Sequence, residues 1–383
     1  MKPAVMLIEA CDFQRYPVGG HLTTARQFLT LYGNRLALVG VSTDDSPVGQ
    51  WTRRTIDGVE YDFFSIGRMD PAQKKPLIPR RLDAYLRLRH HRKRILSLGV
   101  GAAWVLAPEV MLAIGKWGLR VAYKFCGVEN PLTMPRYAIG KWLAGPFERQ
   151  LFAALAEHSE LITAAADAAA IEGLRQRSRG VLAHRQIVPT PTLVDERIFH
   201  LERDRDQQPG PLLVSCGRLN LVKGWDLVFD AFLQVRNARP SARLMFVGDG
   251  EDRPKLEAAI RSAGVGDAVQ ITGFLSPREV ARILNSADLF LLGSHREGWP
   301  TALVEAEACG LPAVSTDVSG ASSLIEEGRN GYLVRGRDPA AFADRIIDAL
   351  RLEVPNATSL VIGSRYTLAG WQRDSANTWE PLR

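Results

Sequence analysis

The sequence predicts an α/β fold in two domains, each a parallel sheet covered by helices. Three observations lead there. At roughly 100–200 residues per domain, a chain of 383 residues suggests about two domains. Short β-branched runs alternate with helical patterns from end to end, the rhythm of βα units. That rhythm breaks once, over residues 189–211, where prolines bracket a highly charged stretch with few apolar anchors, and then restarts. The predicted layout is a first domain over 1–188, a linker over 189–211, a second domain over 212–363 and a terminal helix over 364–383.

In the first domain, Val5-Met-Leu-Ile reads as a strand, and residues 20–32 follow with Leu22, Ala25, Phe28 and Leu29 at helical spacing. Further strands are read at Leu36–Val41, Tyr61–Ile66, Trp104–Leu106, Arg120–Phe125 and Leu161–Thr163. The second domain reads as strand 212–216, helix 224–238, strand 243–247, helix 252–263, strand 269–275 and helix 277–287. Strand 289–293, helix 300–309, strand 312–316 and helix 338–351 complete it. Trp371 and Trp379 in the tail predict a helix that packs back on the first domain.

Composition is that of an ordinary globular protein, 46% hydrophobic and 23% charged, and the net charge of +6 favours an anionic partner. Cys11, Cys126, Cys216 and Cys309 are scattered with no CxxC pair, which argues for reduced thiols and against a zinc site. The N-terminal apolar run is too short for a signal peptide, and Val100–Gly115 is interrupted by Pro108 and Glu109. It falls short of the about 20 residues of a membrane span. The expected location is cytoplasmic.

The chemistry concentrates in the second domain. Arg218 leaves a strand end and Lys223 precedes a helix; cations beside a helix N-terminus suit a diphosphate, although such residues are also common on solvated surface. "FVGDGED" turns on Gly248 and Gly250 but lacks the G-x-G-x-x-G spacing, so a plain tight turn is the simpler reading, and hydride transfer is disfavoured. In "SHREGWPTALVEAEACGLPAVS", Pro300 suits the first helical position, which leaves the amides of Thr301 and Ala302 for phosphate oxygens. Glu297 lies just outside that helix and Glu305 within it, on an apolar segment where a carboxylate needs donors such as the hydroxyls of a vicinal diol. The alternative is that Glu297 caps the helix and Glu305 is exposed. His295 reads as a surface loop residue.

Five segments, "CGRLNLVKGWDL", "ARLMFVGDGED", "ITGFLSPREV", "EGWPTALVEAEACGLPAVSTD" and "GRNGYLV", resemble in order and spacing the donor domain of family 4 glycosyltransferases. "YPVGGHLTTARQFL" resembles that family's N-terminal glycine loop. The resemblance implies GT-B architecture: two Rossmann-like domains facing across a cleft, with a C-terminal helix crossing back to the first. It implies a retaining transferase that moves a sugar from a nucleotide-diphosphate sugar and needs no metal or other cofactor. Arg218 and Lys223 would hold the diphosphate, Glu297 the donor sugar and Glu305 the ribose. Gly19 and Gly20 would approach the diphosphate, and Gly298, Trp299, Thr301 and Ala302 would complete the donor site. The family's histidine after a central strand falls at Cys126 in "YKFCGVENP", which leaves Glu129 or Asn130 to take its role; His21, at the glycine loop, is a separate candidate contact for an acceptor or a phosphate. Where relatives often carry a glutamate, "VSGASSLIEEG" offers Ser323.

Residues 74–94 combine Lys74, Lys75, Arg80, Arg81, Arg87, Arg89, Arg92, Lys93 and Arg94, together with His90 and His91, with interleaved Leu77, Ile78, Leu82, Tyr85 and Leu86. That pattern suits an anionic membrane surface, or else a solvated helix face; no nucleic-acid fold signature accompanies it. The combined expectation is a transferase acting on a glycan or lipid-linked acceptor, peripheral at the cytosolic side of a membrane. The alternatives are a sugar phosphorylase or nucleotide-sugar epimerase on a similar fold, or an inactive sugar-nucleotide-binding protein.

Overall fold

A computed structural model describes residues 3–17, 20–73, 78–127, 130, 132, 140–202, 210–352, 355–369, 379 and 381. The chain divides into two compact units: Met1–Thr192 with Gln372–Arg383, and Leu193–Trp371.

Unit 1 runs β1 (Val5–Ile8), α1 (Gly20–Tyr32), β2 (Leu36–Ser42), β3 (Trp51–Ile56), β4 (Val59–Arg68), α2 (Arg80–Leu96), β5 (Ala102–Val105), α3 (Pro108–Ile114), β6 (Arg120–Phe125), α4 (Gly140–His158), β7 (Leu161–Ala164), α5 (Ala168–Arg177) and β8 (Ile187–Pro189). Its eight-stranded sheet has the order β3-β4-β2-β1-β5-β6-β7-β8. Every residue of β1, β2 and β5 is buried, because central parallel strands covered on both faces take continuous apolar runs rather than alternation. The β3–β4 pair is the antiparallel exception. Its turn is Asp57-Gly58, both at positive φ (48° and 81°), the two-residue geometry whose twist matches a hairpin.

Helix α2 buries Ala84, Leu88, His91 and Ile95 at helical spacing. His91, counted with the basic face in the sequence, turns inward against Phe64, ring centroids 5.6 Å apart. Lys74, Lys75 and Leu77 lie outside the described residues. The tail returns to unit 1: Trp379 is buried, meets Trp104 edge-on at 5.3 Å and donates its indole N–H to Glu160 at 3.1 Å. The helix expected over 364–383 is not described as such, since 370–378 lie outside the described residues.

Unit 2 runs β9 (Leu212–Cys216), α6 (Trp225–Ala238), β10 (Arg243–Val247), α7 (Arg253–Ala263), β11 (Val269–Ile271), α8 (Pro277–Ser286), β12 (Leu289–Leu292), α9 (Thr301–Ala308), β13 (Ala313–Thr316), β14 (Gly331–Val334), α10 (Pro339–Ala349) and α11 (Pro355–Ser364). Its sheet is parallel throughout, in the order β11-β10-β9-β12-β13-β14. Helix starts follow local chemistry: Ser276 and Glu279 form a reciprocal capping box at α8, and Asp338 caps α10.

The structure corrects the extent of the linker. Leu193, Val194 and Phe199 are buried, and the Val194 amide donates to the Tyr366 carbonyl at 2.9 Å. Unit 2 therefore begins at Leu193 rather than at 212. Of the described charges in this stretch, Arg197 is exposed and pairs with Asp195 at 2.7 Å, while Glu196 accepts the Leu368 and Ala369 amides.

Candidate active site

The order of unit 2 reverses at β9, which lies between β10 and β12. In open α/β sheets the crevice beyond the carboxyl ends of the strands at such a switch point is where ligands bind. The loops there are 217–224 after β9 and 293–300 after β12.

Backbone closeness builds the first loop. The Gly217 amide donates to the Val247 carbonyl and the Leu219 amide to the Asp249 carbonyl, each at 3.0 Å. A Cβ on Gly248 would overlap the Gly217 carbonyl oxygen, and one on Gly250 the Leu219 carbonyl oxygen. The "GDG" turn is therefore a packing device that fixes the Arg218 loop, and Arg218 is exposed beside it. Asn220 Oδ1 accepts the Lys223 amide at 3.1 Å, and Gly224 follows at φ 66°.

Gly224 lies against Gly293, where any Cβ would strike the Gly293 carbonyl. Arg337 locks this meeting point by donating to the Gly293 carbonyl at 2.6 Å and to Asp226 at 3.0 Å. Thr316 Oγ1 donates to the Ser294 carbonyl at 2.7 Å. The two loops thus place Lys223 Nζ 2.7 and 2.8 Å from the two oxygens of Glu297. Ser294 Oγ donates to the same carboxylate at 2.6 Å. Glu297 is nearly buried (9%), whereas Lys223 is 38% exposed, so the ammonium has a proton to direct into the crevice.

Helix α9 departs from the expected start. Pro300 is the N-cap rather than the first helical residue. The Thr301 amide is taken by the Trp299 carbonyl at 2.9 Å; among the described residues the Ala302 amide finds no acceptor, which leaves one expected phosphate donor instead of two. The Trp299 side chain is core, 5.2 Å from the Tyr366 ring, because Pro300 and Gly320 fold over it. Gly298 is half-buried, and its carbonyl accepts Ser319 Oγ at 3.1 Å. Glu305 is half-buried and takes no hydrogen bond among the described residues; burial pushes its carboxyl up to about 7. Cys216, at the carboxyl end of β9, feels its charge, so Glu305 faces the switch point.

In unit 1, Gly19 and Glu129 lie outside the described residues. Gly20 opens α1, and a Cβ there would meet nothing within 4 Å. His21 and Cys126 line one cavity at the carboxyl edge of the sheet. Burial pushes the Cys126 thiol up to about 12, which makes it a poor nucleophile or anion. Asn130 lines the cavity too, but its amide is committed internally: Nδ2 donates to Ala144 at 2.8 Å and Oδ1 accepts the Leu132 amide at 2.9 Å. These bonds hold the loop, and Asn130 still presents to the cavity that it lines.

Sequence reasoning missed Ser294, Thr316 and Arg337, whose roles depend on three-dimensional closure. It also missed Glu307, which is fully buried on α9, bonded to Asn330 at 3.2 Å and pushed well up by burial. The available signal was a second glutamate between two buried alanines. Among the described residues no group of His, Cys, Asp or Glu could hold a metal ion.

Residues 199–362 match the family model described as glycosyl transferases group 1. The chain is 34% identical over 157 residues to the amylovoran biosynthesis glycosyltransferase AmsK of Erwinia amylovora, covering 39% of this chain and 38% of that one. It spans less than half the length of this and other strongly matching curated relatives. Sucrose-phosphate synthase from Thermosynechococcus elongatus superposes with a TM-score of 0.76 at 15% identity, over 99% of this chain and 98% of that one. HepE of Anabaena, solved with UDP and glucose, gives 0.69 at 14% identity over 98% and 99%. The switch-point loops of unit 2 and these likenesses converge: residues 199–362 are similar to the glycosyl transferases group 1 family, and the chain carrying them has the GT-B fold of two Rossmann-like units.

Proposed function

We propose that the protein is a retaining, metal-independent glycosyltransferase that moves a sugar from a nucleotide-diphosphate sugar to a glycan or lipid-linked acceptor in surface polysaccharide or glycolipid synthesis. One observation carries most weight: in the region similar to the glycosyl transferases group 1 family, Lys223 and Glu297 meet at 2.7 Å where the sheet order reverses. The name of AmsK supports the polysaccharide context, and HepE bound to UDP supports a nucleotide donor.

The reaction requires charge to be stabilised on a departing diphosphate. Arg218 and Lys223 supply fixed positive charge there, with the Ala302 amide at the start of α9. Glu297 holds Lys223 in place and presents its carboxylate to donor-sugar hydroxyls. Glu305 accepts the ribose hydroxyls, which give it the hydrogen bonds that the protein does not. Cations and amides at these positions do the work that a divalent ion does elsewhere.

The acceptor is read as membrane-associated. On α2, Leu82, Leu86, Arg89 and Lys93 face outward, opposite the buried Ala84, Leu88 and Ile95. Ile78 at 49%, Leu82 at 48% and Leu86 at 49% are exposed along the same segment as these cations, and Trp142 of α4 is 86% exposed. No described helix is long and apolar enough to cross a bilayer. Apolar insertion with surrounding basic residues suits reversible docking on anionic lipid at the cytosolic face.

A thermal-shift screen against UDP, GDP, ADP and their sugars tests the donor assignment. A true ligand at about 100 times its dissociation constant adds roughly 2.7 kcal/mol. No stabilisation by any of them refutes it.

A further inference from the structure

The unit 1 cavity, about 190 Å³, combines aromatic and aliphatic walls such as Leu106, Phe147 and Phe152 with a small polar set. Two cations edge it, and each is braced from behind by a buried carboxylate that does not line it. His21 Nδ1 is 3.3 Å from Glu9 Oε2, and Arg81 Nη1 is 3.1 Å from Glu109 Oε2. Glu9 and Glu109 are 5% and 7% exposed. His21 Nε2 and the other N–H groups of Arg81 have no hydrogen-bond partner among the described residues, and neither has the Tyr123 hydroxyl on the same wall.

Among the described residues one carboxylate lines the cavity, Glu148, and it is held by Arg177 at 3.2 Å. Among the described residues the cavity therefore offers unspent donors beside apolar faces and no unpaired carboxylate. A neutral sugar hydroxyl donates as well as accepts and would leave such donors poorly matched. A carboxylate or phosphate only accepts, and Arg binds either by paired N–H groups. Burial works against the imidazolium and Arg81 opposes it, but Glu9, with a smaller effect from Glu109, raises His21 above its ordinary value and favours the charged ring.

We infer that this cavity receives an anionic group, a carboxylate or a phosphate, carried by an acceptor whose apolar side lies on the aromatic walls, with Arg81 and His21 as the gripping residues. The inference rests on the glycosyltransferase reading for the use made of the bound molecule; the binding itself needs no donor.

Calorimetric titration of the full chain, without nucleotide, with phenyl phosphate, phenyl β-D-glucuronide and phenyl β-D-glucoside tests it. At least one anionic probe should bind on the order of tenfold tighter than the glucoside, and the better of the two identifies the anion as phosphate or carboxylate. Arg81→Gln and His21→Gln should each remove most of that preference, and Arg81→Lys should keep part of it. In the unmodified protein, affinity for the glucuronide should fall severalfold from pH 6 to pH 8 as His21 loses its proton, an arm that needs no variant to fold. Equal affinity for the three probes, no binding of any, or a preference unchanged by both Gln variants and by pH overturns the inference. Absence of nucleotide stabilisation in the thermal-shift screen would instead strike the glycosyltransferase reading and leave anion binding standing.

Discussion

If Glu305 holds the donor ribose as proposed, it makes donor binding a proton-linked event. Its carboxyl titrates at about 7 in the ligand-free chain because burial disfavours the charge and no described residue offers it a hydrogen bond. Two ribose hydroxyls would favour the ionised form and draw the value back toward the ordinary range near 4.5. With a free-state value of about 7, roughly one-tenth of the molecules are ionised at pH 6 and nine-tenths at pH 8. Affinity for a nucleotide sugar should therefore rise about tenfold over that interval, with nearly one proton released per site at pH 6 and few at pH 8. Nucleotide sugars suit the measurement because both phosphates are esterified and do not titrate there.

The same group affects stability. A carboxyl raised in the folded state costs nothing below its unfolded value, and stability is lost as pH rises through about 7. The full cost is on the order of 3 kcal/mol. Glu305→Gln should thus be more stable than the parent at pH 8 and equal to it at pH 4, while binding the donor weakly and without pH dependence. Calorimetry in two buffers of different ionisation enthalpy reads the protons directly. Tight binding with no proton release at pH 6, or an unchanged pH profile in Glu305→Gln, would refute the ribose assignment.

Arg218→Ala and Lys223→Ala should each lower turnover by roughly 10²–10³-fold in a coupled nucleotide-release assay, with melting temperatures close to the parent; near-parental rates would displace the diphosphate site. Glu297→Gln should lose turnover yet keep nucleoside diphosphate affinity, read by titration. Gly224→Ala combines a left-handed φ of 66° with a Cβ that overlaps the Gly293 carbonyl, so it should cost well over 1 kcal/mol in denaturant unfolding; an unaffected midpoint would contradict the packing described here. Trp379→Ala should cost about 3–5 kcal/mol, read as a lowered unfolding midpoint, because a buried ring leaves a cavity against Trp104. Replacing Leu82 and Leu86 with Ser, or Arg89 and Lys93 with Gln, should reduce co-sedimentation with anionic vesicles, and equal partition onto neutral vesicles would dismiss membrane docking.

The repeating βα rhythm was legible because buried parallel strands must be apolar throughout. Strands at 212–216 and 243–247 needed no correction at either end. The β3–β4 hairpin is legible in Asp57-Gly58 between β-rich runs, an antiparallel pair at the edge of a sheet otherwise built of βα units. The linker is overextended because charge density does not imply exposure: Leu193 and Val194, just before the charges, and Phe199, among them, are buried. His91 shows the same error from the other side: a histidine in a basic run looks solvated until the helix phase places it beside Ala84 and Leu88.

The candidate site was legible as residue types and illegible as geometry. Glu297 and Lys223 are 74 positions apart, and nothing in their spacing says that they meet. What brings them together is a pair of glycines, Gly224 and Gly293, whose missing side chains let two strand-end loops touch backbone to backbone. Arg337 then bonds the Gly293 carbonyl and Asp226, from a position 44 residues beyond the first and 111 beyond the second. The chemistry of the crevice is therefore set by residues with no chemical role of their own. An Arg337→Lys change, which keeps the charge and loses the two-pronged fork, separates the two kinds of contribution. If positioning governs the site, it should loosen the Lys223–Glu297 pair and lower turnover while the nucleotide still binds; if charge alone matters, turnover should be unaltered.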